Sequence, residues 1–377
     1  KKLRWKRPEN VVEKQQFSVL NFSGFWVVNL NALSKTTIDN SVIGTVYGGG
    51  EEANVTGTTT VDIKNSSTVD NVFGGGKGTT ATLGGLITVG ITNSVINENV
   101  YGGGDAGPSS NNIDLTINNS NIKKDVFGAG KGTTSTVTGS ASVTIGSNTV
   151  IGNNVYGGGD NGPVRTNTNI KIHGGSTITN DIFGGGNAAL VNNRSSVNIS
   201  GASKANNVYG GGNQGNVTGS STTVIIEKSI IGLSDLNNNG NVYGGGNQGS
   251  VGQAIIVTID DSTVQNSVFG AGKGASSNAY STMINFQNGS TAKYVYGGGD
   301  QAISTTSNIT TSGGTINNIY GGGNQAGVTT TNITTNGLNG INASNDMQYN
   351  NQVDLINAFK EALSQMKIEL DDENMGK

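Results

Sequence analysis

The sequence predicts an all-β chain wound as a parallel β-solenoid (a β-helix of about 27 residues per coil), and three observations lead there. The first is a motif of one aromatic residue and three small ones. It recurs eleven times, at Tyr47, Phe73, Tyr101, Phe127, Tyr156, Phe183, Tyr209, Tyr243, Phe269, Tyr296 and Tyr320. Each copy follows Val or Ile and precedes Gly-Gly-Gly or Gly-Ala-Gly. Successive copies lie 26, 28, 26, 29, 27, 26, 34, 26, 27 and 24 residues apart. A fixed period in this range marks a repeat architecture. The second observation is Val-x-Ile alternation inside each repeat, as in Val61-Asp62-Ile63, Val143-Thr144-Ile145 and Val257-Thr258-Ile259. Period 2 belongs to a strand with one buried face. The third is the residue that follows each glycine triplet: Glu51, Lys77, Asp105, Lys131, Asp160, Asn187, Asn213, Asn247, Lys273, Asp300, Asn324. No two like charges are neighbours in this series. Stacked coils would need that, because like charges directly opposite in a sheet destabilise it.

Taken in order, residues 1–36 differ from the repeats. A basic start (Lys1, Lys2, Arg4, Lys6, Arg7) precedes the apolar runs Phe17–Phe22 and Phe25–Val28. Open solenoid ends expose core and strand edges, so this segment is expected to be a cap or attachment element. Residues 37–336 form the expected solenoid, right-handed by the general crossover preference. Its glycine triplets are expected to turn sharp corners through positive φ and to let stacked backbones approach closely. The 34-residue interval holds Ser234 to Gly240, an Asn-rich insertion expected to bulge as a surface loop. Leucine-rich repeats and propellers fit less well, lacking a Leu/Asn framework and a 40-residue blade respectively. Residues 337–377 are read as a linker, a short amphipathic helix and a tail. Ile356, Phe359, Leu363 and Met366 recur at helical intervals, with Tyr349 and Val353 extending the face. Such a stripe would cap the rod or pair as a short coiled coil.

The stretch Ala358-Phe359-Lys360-Glu361-Ala362-Leu363-Ser364-Gln365-Met366-Lys367-Ile368-Glu369-Leu370-Asp371-Asp372-Glu373-Asn374-Met375-Gly376-Lys377 resembles the C-terminal tail of tail-associated structural proteins of phages that infect Gram-positive bacteria. The quoted stretch is 20 of the 377 residues and carries no catalytic residue. In those proteins apolar residues follow; here the chain stops, which reads as truncation or disorder. The repeats are similar in general character to those of phage fibres and bacterial surface solenoids.

Composition narrows the chemistry. The net charge is −3 with 22 basic residues scattered along the chain, so no electrostatic footprint for nucleic acid is present. Cysteine is absent, which excludes disulfides and thiolate metal sites. No apolar run reaches the length of a membrane span. The first residue is Lys, and the chain is read as a processed or expressed fragment.

Four motifs match the Gly-x-Gly-x-x-Gly fingerprint, beginning at Gly102, Gly157, Gly210 and Gly244. None opens a helix, which a pyrophosphate site requires, so no nucleotide cofactor is expected. Gly128-Ala129-Gly130-Lys131-Gly132 lacks phosphate-loop spacing. Asp105, Asp160 and Asp300 suggest stacked calcium sites, but lysines interrupt that row. Glu51, Asp105 and Asp160 fall on alternate rungs with Lys77 and Lys131 between them, which suits ion-pair ladders better than a glycosidase pair. Asp260 and Asp261 have only Glu227 and Gln287 on neighbouring coils. His173, the only histidine, precedes Gly174-Gly175 in a turn. Thr columns drift too much for an ice-binding face. The expected function is therefore a non-catalytic structural and adhesion rod of a virion: a tail fibre, spike or baseplate-associated component contacting a host surface. A polysaccharide-degrading tailspike and a bacterial cell-surface adhesin are the alternatives. The expected partners are other virion proteins, a host cell-surface glycan and a further copy of the chain.

Overall fold

The structure, a computed structural model, describes residues 18–22, 25–29, 33–233 and 240–339. Over these residues it is all-β, a parallel β-solenoid of about eleven turns. The expected C-terminal helix and most of the basic N-terminal segment lie outside the described residues. Ser18–Phe22 and Phe25–Asn29 pair as an antiparallel hairpin, separate from the main ladder. That ladder begins at Ser34–Asp39 and ends at Val328–Asn339, three residues outside each expected solenoid boundary.

One coil shows the plan. Ile87–Thr92 is a long strand with alternate side chains buried, and Val95–Ile96 and Val100–Tyr101 are two short ones. A glycine corner follows, then a single bridging residue, Ser109, which pairs with Leu83 below and Val137 above. Every element pairs in parallel with its equivalent in the next coil. Val61, Val89, Leu115, Val143, Ile170, Val197, Val224, Val257, Ile284 and Ile309 form one interior column. Ile63 to Phe286 form a second, two residues further along each strand. Nearly all are fully buried, and each such side chain contributes about 1.5–3 kcal/mol. The apolar column ends where Phe286 faces Thr311. Gly314 accommodates that large ring, since a Cβ there would lie 3.0 Å from the Phe286 edge.

The glycine corners correct one expectation. None of the triplet glycines has positive φ; most left-handed residues lie at the other corner, after the long strand, as at Asn40, Asn65, Asn93, Asn119, Gly174, Gly201, Lys228 and Asp261, while Glu52, Gly78 and Ala106 lie two residues past a triplet. What the triplets supply is space. A Cβ on Gly74 would sit 2.3 Å from the carbonyl oxygen of Gly102, and one on Gly102 2.4 Å from that of Gly128. The corner is an extended turn in which backbones touch, so glycine is required by contact rather than by dihedral angle.

Behind the left-handed corner lies a row of hydroxyls, each three or four residues after the last interior apolar side chain. Ser67, Thr149, Ser176 and Ser203 are fully buried. Their Oγ atoms donate to the carbonyls of Lys64, Gly146, His173 and Ser200 at 2.6–2.8 Å. This Ser/Thr turn gives the strand-end carbonyl a close hydroxyl donor, where the inter-coil backbone bonds to Lys64 and Gly146 are long at 3.3 and 3.4 Å.

The 34-residue interval leaves the stack undisturbed. Val208 pairs with Val242 and Tyr209 with Tyr243, as in the shorter coils. The insertion leaves the coil at Gly232 and returns at Gly240, where a Cβ would be 3.0 Å from the Cα of Gly232. Residues 234–239 lie outside the described residues.

Candidate functional site

The outer surface is organised in columns. The aromatic column runs unbroken from Tyr47 to Tyr320, with neighbouring rings 4.7–5.0 Å apart and interplanar angles of 2–11°. Each preceding Val or Ile points into the core, so the ring points outward. Yet the eight rings from Phe73 to Phe269 are 2–5% exposed. Polar columns on both sides cover them.

One is the corner row. The Lys77 ammonium meets Glu51 at 2.7 Å and Lys131 meets Asp105 at 3.6 Å. Asn187 Nδ2 donates to Asp160 at 2.7 Å. Asn213 and Asn247 continue the run at 2.8 Å each, and Asn324 donates to Asp300 at 2.8 Å. No ion pair joins Lys77 to Asp105 or Lys131 to Asp160, and Lys273 makes no direct bond to Asn247 or Asp300; instead, Lys131 Nζ lies 5.9 Å from the Phe73 ring centre. The charged part of the row is thus pairwise rather than continuous, whereas its amide part is continuous.

The other flanking column was not picked out from sequence. It lies two residues before each ring, and period 2 along a strand would have found it. Asn71, Asn99, Asp125, Asn154, Asp181, Asn207 and Asn241 stack there, each joined to the next by an amide or carboxylate bond of 2.9–3.3 Å. Burial raises the Asp181 carboxyl above its ordinary value, although bonds from Asn207 oppose the shift. The tyrosine hydroxyls lie between these columns. Burial, reinforced by the neighbouring aspartates, raises Tyr101, Tyr156, Tyr209 and Tyr243 well above the usual phenol value, and it pushes Tyr296 up to about 12. Covered rings and raised phenols describe a structural spine, not a surface for stacking ligands.

A separate groove opens at the left-handed corner of the early coils. Asn65, Asn93, Asn119 and Asn148 project from positive-φ turns with φ between 47° and 59°. Together with Val95, Val150 and adjoining serines they line an open space of about 760 Å³. Amides connect successive rungs: Asn65 Nδ2 donates to Asp39 at 2.9 Å and Asn119 Nδ2 to Asn93 at 2.5 Å. Beside it, Lys123 Nζ donates to Asn97 at 2.7 Å, and Asn97 donates to Asp70 at 2.9 Å.

Among the described residues, no three His, Cys, Asp or Glu side chains converge on a metal-sized point, and no helix is long and apolar enough to cross a membrane. His173 closes the turn at Gly174-Gly175, its carbonyl accepting from Ser176. Asp260 accepts from Asn288 Nδ2 at 2.7 Å across the same corner. No family model matches the chain, and neither a search of curated proteins nor one of solved structures finds a match.

Proposed function

We propose that the chain is a non-catalytic structural and adhesion rod of a phage virion, a tail fibre, spike or baseplate-associated component that contacts the host surface. The observation that carries this proposal is the aromatic column, stacked without a break from Tyr47 to Tyr320 over parallel-paired coils. Such a body is stiff along one axis and repeats its outward side chains at each coil. The corner acids support a structural role, since Glu51, Asp105, Asp160 and Asp300 each spend an oxygen on a lysine or an asparagine. Contact with a repetitive surface would then be multivalent, many weak hydrogen bonds summed along the rod. The virion assignment draws on the similarity of residues 358–377 to phage tail-associated proteins. Within this proposal the coil is right-handed and averages about 27 residues. Its neighbours are other virion proteins.

The test is a cell-wall retention assay. Labelled full chain is mixed with walls from a panel of Gram-positive bacteria, and both bound protein and released reducing sugar are followed. Retention by some walls without sugar release is the expected result. Release of reducing ends, or retention by no wall, contradicts the proposal.

A further inference from the structure

Along the early left-handed corner the backbone of the groove is tied into the inter-coil ladder, while its asparagine side chains face outward from it. We propose that this groove is a binding site for a neutral, extended β-1,4-linked glycan lying along the solenoid axis. This deepens the adhesion proposal, on which it rests, by naming the place and the ligand class.

Charge comes first. The groove is lined by amides, hydroxyls and valines, with no ionisable side chain among them. The nearest cations are already engaged, Lys123 by Asn97, and Lys64 by Asp62 and Asp39. An anionic chain would find no counter-charge, whereas hydroxyl and acetamide groups find donors and acceptors. A side-chain amide offers two donors, so a bond down the column leaves one free.

Period comes second. Successive coils are 4.7–5.0 Å apart at the aromatic column, close to the length of one sugar unit in an extended chain. The groove floor alternates. Val95 and Val150 lie two rungs apart in it with Asn121 between them, and the same column continues outside the groove through Thr68 to Val42. Val42 is 84% exposed and Val150 40%, which is unusual on so polar a surface. The floor therefore repeats every two rungs, about 9.6 Å. A β-1,4-linked chain flips alternate sugars and repeats every two units as well, setting an apolar ring face over each valine. An α-linked chain coils away from such a row.

Confinement comes third. Beyond the fifth coil the turn residues become Gly174, Gly201, Lys228 and Asp261, so the continuous amide run ends, and the one later amide, Asn288, is bonded to Asp260. The site is thus limited to a few sugars at one end of the rod. Its amides stand on backbone already fixed in left-handed turns, which lowers the ordering cost of binding.

The experiment is calorimetric titration of the full chain with hexamers of β-1,4-linked N-acetylglucosamine and β-1,4-linked glucose, with the α-1,4-linked glucose hexamer as comparator. Saturable binding of at least one β-linked hexamer, and none of the α-linked one, is expected. Val95→Lys and Val150→Lys place a long cation over the floor without touching the core, and each should weaken binding about tenfold or more. Thr263→Lys alters the same column beyond the amide corner and should leave affinity within about twofold. Circular dichroism matching the parent shows that all three variants are folded. No binding of either β-linked hexamer, equal binding of the α-linked one, or full affinity in Val95→Lys and Val150→Lys overturns the proposal. Wall retention that survives both groove variants would overturn the groove while leaving the adhesion proposal standing.

Discussion

Gly74 and Gly327 show at single-residue scale what the corners require. At Gly74 a methyl group would be driven into the Gly102 carbonyl, and the backbone of the next coil cannot yield without breaking its ladder. Gly74→Ala should cost about 3 kcal/mol or more, read as a lowered melting temperature by circular dichroism. At Gly327 nothing lies within 4 Å and φ is not left-handed, so Gly327→Ala should stabilise by about 0.5 kcal/mol. The tyrosines give a pH dependence with a definite sign. Their folded values are raised above the ordinary 10.0, so the folded state holds protons that the unfolded chain releases. Stability is therefore fully present below pH 10 and falls as pH rises through the folded values. Native phenolate absorbance should stay low until the chain unfolds. A smooth titration of the buried tyrosines near pH 10 with the fold intact would contradict their covered placement.

The columns differ in strength element by element. In the amide run Asn187, Asn213 and Asn247, Asn213 both donates and accepts at 2.8 Å, Asn187 also does both, Asn247 ends the run as a donor, and all are partly shielded from water. Asn213→Ala should cost about 1 kcal/mol by removing both bonds at once. Lys77→Ala should leave the melting temperature unchanged, because the Glu51–Lys77 pair is exposed and screened. Equal effects from the two substitutions would show that the corner row is not divided as described. Much of this was legible in the sequence, because a parallel solenoid turns sequence period directly into spatial neighbours. The rows at Tyr47 and Glu51 could be written down residue by residue. The column of Asn71 and Asn99 is not legible in the same way, because asparagine favours turns as readily as a strand face and only the stacked coils show which it serves here. The role of Gly48 to Gly50 was only half legible: composition signals a tight place, but whether φ or contact makes it tight is a property of the neighbouring coil. The groove at Asn65 to Asn148 escaped for a similar reason, since isolated Asn-Ser turns become a surface only once stacked.

For the whole molecule, stability is the sum of many equal interfaces rather than of one core. The interior narrows toward the C-terminal end, where Phe286 gives way to Thr311 and Thr335 in the same column. Opening should begin there, in the last coils, before the centre of the rod. The central claim is that one chain spirals upward by one strand spacing per coil. Asp62, Lys171 and Asn285 occupy one outward column, four and eight rungs apart. The chain has no cysteine of its own, so paired cysteines at these positions can carry spin labels without interference. Pulsed electron resonance should give distances of about 19 Å between positions 62 and 171 and about 38 Å between 62 and 285, doubling as the rung count doubles. Distances that fail to grow in proportion to the rung count would contradict the solenoid and everything built upon it.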